Sequence, residues 1–258
     1  MCRFVETIRL QNHELCNIAL HQLRYENTAR RFFDSGYALE DIAKVASQFS
    51  ERGGVNKIRI VYDESGVVLT SCEPYTMKNI KTLRLVECDD IDYTYKYADR
   101  SELDKAMTMR GNCDNVVIVR NGLLTDTSYT NIALYDGKHW LTPAHPLLRG
   151  TALMRLLDEE KLVSADIKAF ADDYAAISEK LNVICAGVRV CTEKPAKFSN
   201  SARKPKPQFV PAPGLALSSC LNRKAFPDIS LNYSDAIKFL RSFLQVLLPV
   251  RPNPRQCG

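Results

Sequence analysis

Residues 93–155 read YTYKYADRSELDKAMTMRGNCDNVVIVRNGLLTDTSYTNIALYDGKHWLTPAHPLLRGTALMR, and this stretch decides the predicted fold. A lysine, Lys96, precedes a helical pattern at residues 101–110, for which Ser101 is the predicted N-cap. Two hairpins follow, because Asn121-Gly122 and Asp136-Gly137 are strong turn signals between apolar segments. A further helix, over residues 151–160, begins directly after Gly150.

The sequence before this stretch alternates between strand and helix patterns. Alternating β-forming residues predict strands, and apolar residues at helical spacing predict helices. The predicted elements are a strand at 4–10, helices at 17–33 and 39–49, a hairpin at 55–61 and 67–72, and a strand at 83–86. An acidic connector then closes a first, small α/β lobe over residues 1–90.

The part that follows predicts a second lobe over residues 91–191. After the two hairpins and the helix at 151–160 come a strand at 163–168, a helix at 171–180 and a buried strand at 181–191. Strands and helices are therefore mixed throughout both lobes. The predicted fold class is α/β (α+β) with two lobes, and a ligand cleft is expected between them.

Residues 192–258 form a compositionally different tail. From Glu193 onward, 11 Lys/Arg stand against 3 Asp/Glu, and nine of the 12 prolines lie there. This composition predicts an extended segment and then one helix over residues 234–248, too short to cross a bilayer. A basic tail is one route to nucleic-acid binding, but this one has few aromatic residues and no known module, so no nucleic-acid partner is predicted.

Bulk composition narrows the class of protein further. The chain is 45% apolar and 25% charged, as in ordinary globular proteins, and it has no run of 18 apolar residues. Its first residues carry no signal-peptide pattern. Nine cysteines without C-x-x-C spacing and only four histidines favour neither a metal site nor a disulfide framework. We therefore predict a cytoplasmic protein with no membrane partner and no metal.

The polar residues of the central stretch match the needs of one cofactor, pyridoxal phosphate. It requires an amine to bond to, a carboxylate beside its pyridine nitrogen, and an arginine with a helix N-terminus for its phosphate. Lys96, Asp126 and the helix that starts after Gly150 are candidates for the amine, the carboxylate and the helix N-terminus.

The same residues resemble the class IV aminotransferase family, which has the fold-type IV pyridoxal-phosphate architecture. The resemblance covers residues 4–185 in the order and spacing of the family. Its motifs here are Phe-x-Glu-Thr-Ile-Arg at 4–9, His-x-x-Arg at 21–24, Lys-Tyr-Ala-Asp-Arg at 96–100, Thr-Asp-x-x-x-x-Asn at 125–131, Trp-Leu-Thr-Pro at 140–143 and Leu-Leu-Arg-Gly at 147–150.

The resemblance implies a role for each matching residue. Lys96 would bond to the cofactor and carry the catalytic proton, and Asp126 would face the pyridine nitrogen. Arg24 and the backbone N–H groups of Thr151 and Ala152 would bind the phosphate, and Gly150 would open the helix that carries them. Arg100 would reach either the phenolic oxygen of the cofactor or a substrate carboxylate, and Asn131 would hold its turn rather than touch substrate.

The chain also departs from the family pattern. Asp126 stands where the family usually has Glu, Ala152 where many relatives have a hydroxyl residue, and the segment of about thirty residues before the first strand is missing, so the chain looks like a short form. The resemblance implies a homodimer acting on an amino-acid-like substrate. The short form and the Lys-x-x-x-Arg run favour an aminodeoxychorismate lyase of folate biosynthesis. A branched-chain or D-amino-acid aminotransferase and a catalytically degenerate member are the alternatives.

Overall fold

The computed structural model describes residues 2–34, 36–136, 138–169, 189–190 and 196–197. Its strands are β1 (Phe4–Gln11), β2 (Glu14–Leu15), β3 (Val55–Asp63), β4 (Gly66–Pro74), β5 (Thr82–Glu87), β6 (Asn115–Arg120), β7 (Leu123–Thr127), β8 (Leu134–Tyr135), β9 (Trp140–Pro143), β10 (Val163–Ala165), β11 (Arg189–Val190) and β12 (Ala196–Lys197). Its helices are α1 (Ile18–Phe32), α2 (Ile42–Ser47), α3 (Ser101–Thr108) and α4 (Thr151–Asp158). This mixture of several sheets with few helices confirms the predicted α/β class.

The first sheet has the antiparallel order β2-β1-β3-β4, as the predicted strand and hairpin require. Successive side chains of a strand point to opposite faces. On one face of β1, Phe4, Ile8 and Leu10 are fully buried with residues of β3, α1 and α2 in an apolar core. A carboxylate, Glu6, is also fully buried in this row. Its burial requires a partner, which the site below provides.

The second sheet runs β11-β5-β6-β7, and β12 also pairs with β5. β5 precedes residue 90 but lies parallel to β6 in this sheet, apart from the first four strands. The β6–β7 hairpin turns at Asn121 and Gly122, both with positive φ, of 51° and 75°. These values confirm the predicted Asn-Gly turn. The division into lobes at 1–90 and 91–191 stays a prediction.

A third, small sheet has the order β10-β9-β8 and packs against α4. Trp140 of β9 is buried with Leu153 and Leu156, which lie one turn apart on α4. The first turn of α4 lies against α1, where the Thr151 hydroxyl contacts His21.

The starts of α2 and α3 differ from the sequence-based expectation, and α3 and α4 each end two residues earlier than predicted, at Thr108 and Asp158. α2 spans only Ile42–Ser47 rather than residues 39–49, because the carboxylate of Asp41 accepts hydrogen bonds from the N–H groups of Ala43 and Lys44 and caps the helix there. Ser101 is the first residue of α3 and not its N-cap, which is Arg100. The side chain of Asp99 instead accepts a hydrogen bond from the Ser101 N–H.

Several expectations fall outside the described residues: the helix at 171–180, most of the strand at 181–191, and the tail with its helix at 234–248. No helix in the described ranges is long and apolar enough to cross a membrane. Cys2, Cys16, Cys72 and Cys88 are free thiols. Cys113, however, is disulfide-bonded, which the cysteine spacing did not predict.

The β6–β7 turn provides a test of the fold. Gly122→Ala should lower the free energy of unfolding by about 1 kcal/mol, because an L-residue is strained at this positive φ although no atom lies within 4 Å of the new methyl group. Gly53→Ala is the matched control, since that site is equally open and its φ is not positive. Equal effects of the two changes in urea denaturation would contradict the assigned turn.

Candidate active site

A cavity of about 300 Å³ lies where α1, the segment around Lys96, the end of β7 and the start of α4 meet. All the residues that the sequence assigned to a cofactor site line it: Arg24, Lys96, Arg100, Asp126, Gly150, Thr151 and Ala152. The expectation that Arg24 and Gly150 share one cleft therefore agrees with the geometry. The individual roles of these residues remain predictions.

Lys96 is positioned by its backbone. The Val5 N–H of β1 donates to the Lys96 carbonyl at 2.9 Å, and the Ala98 N–H donates to the Arg3 carbonyl at 2.8 Å. A bridge between Phe4 and Tyr97 continues this pairing. The segment thus occupies the free edge at the start of β1, which aligns Lys96 with the cavity.

The surroundings of Lys96 favour a neutral amine. Burial, followed by the positive charge of Arg24, lowers its pKa to about 8, although Glu6 acts in the opposite direction. Arg100 and Arg59 add smaller effects that also lower the pKa. A lysine with such a pKa is partly unprotonated near neutral pH, which is the form that can act as a nucleophile or accept a proton.

Asp126, on β7, is only 5% exposed. Its Oδ1 accepts a hydrogen bond from Nδ2 of Asn131 at 2.8 Å, and its Oδ2 accepts one from the Leu148 N–H at 3.0 Å. Burial raises its pKa to about 6, and these hydrogen bonds only partly offset the effect. A buried carboxyl held in this way would be stabilised as an anion by a protonated ring nitrogen.

Asn131 joins two walls of the cavity. Besides Asp126, its Nδ2 donates to the Leu148 carbonyl at 2.7 Å. Its Oδ1 lies so close to the Cα of Gly150 that a Cβ there would collide with it. The side chain thus orients the carboxylate and also explains why a glycine precedes α4.

The start of α4 and Arg24 form one positively polarised corner of the cavity. Gly150 is the N-cap of α4 and makes no side-chain cap hydrogen bond, and the first two residues of the helix, Thr151 and Ala152, line the cavity. Helix N-termini favour anions. Nε and Nη2 of Arg24 both bind Glu6, while Nη1 makes no hydrogen bond in the described part of the chain.

His21 connects Glu6 to this corner. Its Nδ1 lies 2.6 Å from a Glu6 oxygen, and its Nε2 lies 3.3 Å from the hydroxyl of Thr151. Burial lowers the pKa of His21, although Glu6 opposes this. Burial alone would raise the pKa of Glu6, but Arg24 and His21 outweigh it and hold that pKa below the ordinary value.

Arg100 lies at a more exposed wall of the cavity. One of its nitrogens donates to the Ser128 carbonyl at 2.8 Å, and about a third of its side chain is exposed. The Ser128 hydroxyl in turn donates to Asn115 of β6 at 2.7 Å. Arg100 is therefore held at the turn after β7 and remains accessible to a ligand.

Glu6 and His21 belong to the site network but received no role from the sequence, and Asn131 was expected only to hold a turn. For Glu6, one signal was available: it is a carboxylate in the row of a strand whose other members are Phe4, Ile8 and Leu10. His21 and Asn131 stand in motifs quoted above, but those motifs do not reveal the contacts of His21 with Thr151 or of Asn131 with Leu148, which are 130 and 17 residues away in sequence.

Comparisons with known proteins place this site in a family. The sequence model of the amino-transferase class IV family matches residues 3–171. An uncharacterized protein of Haemophilus influenzae is 34% identical over 178 residues, which are 67% of this chain and 92% of that protein. The chain belongs to the class IV aminotransferase family.

Solved structures agree with this assignment. A crystal structure from Haemophilus somnus 129pt, of a protein provisionally named a 4-amino-4-deoxychorismate lyase, is 33% identical with a TM-score of 0.62 and covers 68% of this chain and 92% of its own. A provisionally named amino-acid aminotransferase from Mesorhizobium loti is 22% identical with a TM-score of 0.57 and covers 68% and 91%. The second likeness supports the fold alone.

The protein is thus an enzyme, a transaminase or lyase that depends on pyridoxal phosphate. The residues present fit this cofactor, because the buried Lys96, the buried Asp126 and the open start of α4 offer the three kinds of group that it requires. The described residues contain no group of ligands suited to a metal ion.

The raised pKa of Asp126 predicts a pH dependence of stability in the cofactor-free protein. Because the folded protein binds this proton more tightly than the unfolded chain, stability should fall as pH rises from about 4 to about 6, by about 3 kcal/mol at most, and then level off. Asp126→Asn cannot ionise, so the variant should become more stable relative to wild type over this range. Urea denaturation at a series of pH values measures the difference, and parallel curves for the two proteins would contradict the shifted pKa.

Gly150→Ala tests the contact between the two walls. The new methyl group should displace Asn131 and so break its bonds to Asp126 and Leu148, at a cost of about 1–3 kcal/mol in the free energy of unfolding. Cofactor affinity, measured by absorbance titration, should fall as well. Gly53→Ala is again the control, and unchanged affinity in Gly150→Ala would show that this close approach is unimportant.

Proposed function

We propose that this enzyme is a lyase that converts 4-amino-4-deoxychorismate to 4-aminobenzoate and pyruvate. The observation that carries the proposal is the 33% identity, over 92% of its chain, to the Haemophilus somnus protein provisionally given that name. The Lys-x-x-x-Arg run at 96–100 also favours this branch of the family.

The chemistry requires one proton to be removed and one carbon–oxygen bond to break. When bound, pyridoxal phosphate supplies an electron sink that acidifies the ring C–H next to the substrate nitrogen. Lys96 would accept this proton, which its pKa of about 8 permits near neutral pH. The electron pair of the broken C–H bond would then form a ring double bond as the neighbouring C–O bond breaks, and the electrons of that C–O bond would leave with the enolpyruvyl oxygen. The released enolpyruvate would take up a proton to become pyruvate, and the remaining ring would be aromatic.

Asp126 would assist by holding a proton on the cofactor nitrogen. Its two hydrogen-bonded oxygens are fixed against the wall of the cavity, so the carboxylate can pair with a ring that lies before it. Pairing with a cation lowers the pKa of a carboxyl, so Asp126 would be ionised in the loaded enzyme.

Arg100 is the residue best placed to meet an anionic substrate. 4-Amino-4-deoxychorismate carries two carboxylates, and the guanidinium of Arg100 is accessible and held by the Ser128 carbonyl. Arg100 has two open roles, binding a substrate carboxylate or contacting the phenolic oxygen of the cofactor. Loss of apparent substrate affinity in Arg100→Gln, with cofactor affinity unchanged, would favour the first.

Product analysis tests the proposed reaction. The purified protein, loaded with pyridoxal phosphate, is offered 4-amino-4-deoxychorismate, and both pyruvate and 4-aminobenzoate are measured. In parallel it receives branched-chain and D-amino acids with 2-oxoglutarate. Equal amounts of pyruvate and 4-aminobenzoate without any keto acid support the lyase, whereas glutamate formation in the second assay makes the enzyme an aminotransferase. We further propose that the enzyme is cytoplasmic and forms a homodimer. Light scattering of the purified protein would measure its oligomeric state.

Two substitutions separate the roles of the lysine and the carboxylate. Lys96→Ala should lower turnover by at least about 10⁴-fold, because it removes both the covalent attachment and the proton carrier. Lys105→Ala, an exposed change on α3, is the matched control and should leave turnover unchanged. Borohydride should fix cofactor to the wild-type protein and not to Lys96→Ala. Normal turnover in Lys96→Ala would refute the assignment.

Asp126→Ala should fold but turn over poorly, since the ring nitrogen loses its anionic partner. Asp126→Glu restores the residue that is usual in the family and should retain more activity than Asp126→Ala. If both variants match the wild-type rate, Asp126 does not serve the cofactor.

A further inference from the structure

We infer that Glu6 is a positioning residue for the phosphate of the cofactor: it orients the guanidinium of Arg24 and, through His21, the hydroxyl of Thr151 at the start of α4. The inference rests on the proposed phosphate-binding role of Arg24 and α4. Glu6 itself does not line the cavity. Its effect on a ligand must therefore pass through the residues that it binds.

Burying the carboxylate of Glu6 costs free energy unless its charge is paired. It is fully buried on β1 in the same row as Phe4, Ile8 and Leu10, where an apolar residue would pack at no such cost. Both of its oxygens are bonded: one to Nε of Arg24, the other to Nη2 of Arg24 and to His21. The carboxylate therefore joins two residues that face the cavity.

The pairing with Arg24 fixes the orientation of the guanidinium. Two parallel N–H···O bonds hold the group in one plane, a geometry that arginine forms with carboxylates. Nη1 remains without a hydrogen bond in the described ranges of the chain. Because Arg24 lines the cavity with an 11% exposed side chain, the edge that Glu6 leaves open is the one available to a phosphate.

The contact with His21 links Glu6 to the Thr151 hydroxyl at the start of α4. A carboxylate can only accept hydrogen bonds, so Nδ1 of His21 carries the proton that faces Glu6. The lowered pKa keeps the ring neutral, so Nε2 is an acceptor and the Thr151 hydroxyl donates to it. Thr151 is the first residue of α4, and this link ties the helix start to α1.

A purely structural ion pair would have different consequences. Loss of a structural pair should weaken every ligand of the cavity, or none, according to how far the fold relaxes. Loss of a residue that positions phosphate-binding groups should weaken ligands that carry the phosphate and spare those that lack it. Pyridoxal phosphate and pyridoxal, which differ only in this group, therefore distinguish the two cases.

The test is absorbance titration of the cofactor-free, full-length protein with each of the two ligands. Glu6→Gln keeps the size of the side chain and removes its charge. We expect it to weaken pyridoxal phosphate about 10- to 100-fold, as for the loss of a charged hydrogen-bond partner. Pyridoxal binding should change less than about twofold. Glu26→Gln, on α1 but paired with Arg30 at the surface, is the matched control and should change neither.

A double-mutant cycle tests the route through Arg24. If Glu6 acts through this arginine, Glu6→Gln should weaken pyridoxal phosphate less in an Arg24→Gln background than in the wild type. Additive losses would overturn the route. Should Glu6→Gln show no cooperative thermal unfolding, Thr151→Val tests the second arm: it should weaken pyridoxal phosphate about fivefold and spare pyridoxal.

The remaining outcomes are equally decisive. Equal weakening of both ligands in Glu6→Gln, or of neither, overturns the inference while the cofactor assignment stands. A wild-type protein that binds neither ligand overturns the cofactor assignment and this inference with it.

Discussion

The cost of burying charge is the constraint on which the site depends. Lys96 and Asp126 line one cavity and are both largely buried, and burial shifts their pKa values in opposite directions, to about 8 and about 6. Both shifts move the group toward its neutral form, because a low dielectric disfavours charge. Glu6 and Arg24 meet the same cost by pairing with each other. The site thus combines one fixed ion pair with two groups whose charge can change.

The groups that share this cavity come from distant parts of the chain, and hydrogen bonds from β1, β7 and α4 hold them. The Lys96 backbone joins the free edge of β1, and the loop before α4 donates the Leu148 N–H to Asp126 on β7. These hydrogen bonds come from backbone groups of strands or of the loops next to them. A change in strand register would therefore move Lys96 and Asp126 relative to each other.

Features with a local cause could be predicted from the sequence. The Asn121-Gly122 turn follows from the φ values that only such residues adopt readily, and β1 follows from alternation. The cavity-lining positions of Lys96, Asp126 and Arg24 could be anticipated because motif spacing reflects the chemistry of the cofactor. The roles of His21 and Asn131 could not, since each depends on a contact made only in the folded chain, 130 residues away at Thr151 or 17 away at Leu148. The start of α2 was misplaced because the Asp41 cap competes with the apolar pattern before it.

The aspartate at position 126 would affect which residues hold the cofactor. Its side chain is one methylene shorter than the glutamate usual in the family, and Asn131 and Leu148 hold it against the wall from behind. The carboxylate cannot move outward to meet the ring without breaking these bonds. If Asp126 pairs with the pyridine nitrogen, Asp126 would hold the ring from β7, and Arg24 with the start of α4 would hold the phosphate. Asn131 already brings those two walls together, because it binds Asp126 and at the same time abuts Gly150. Asn131 thus holds the aspartate and also limits position 150 to glycine.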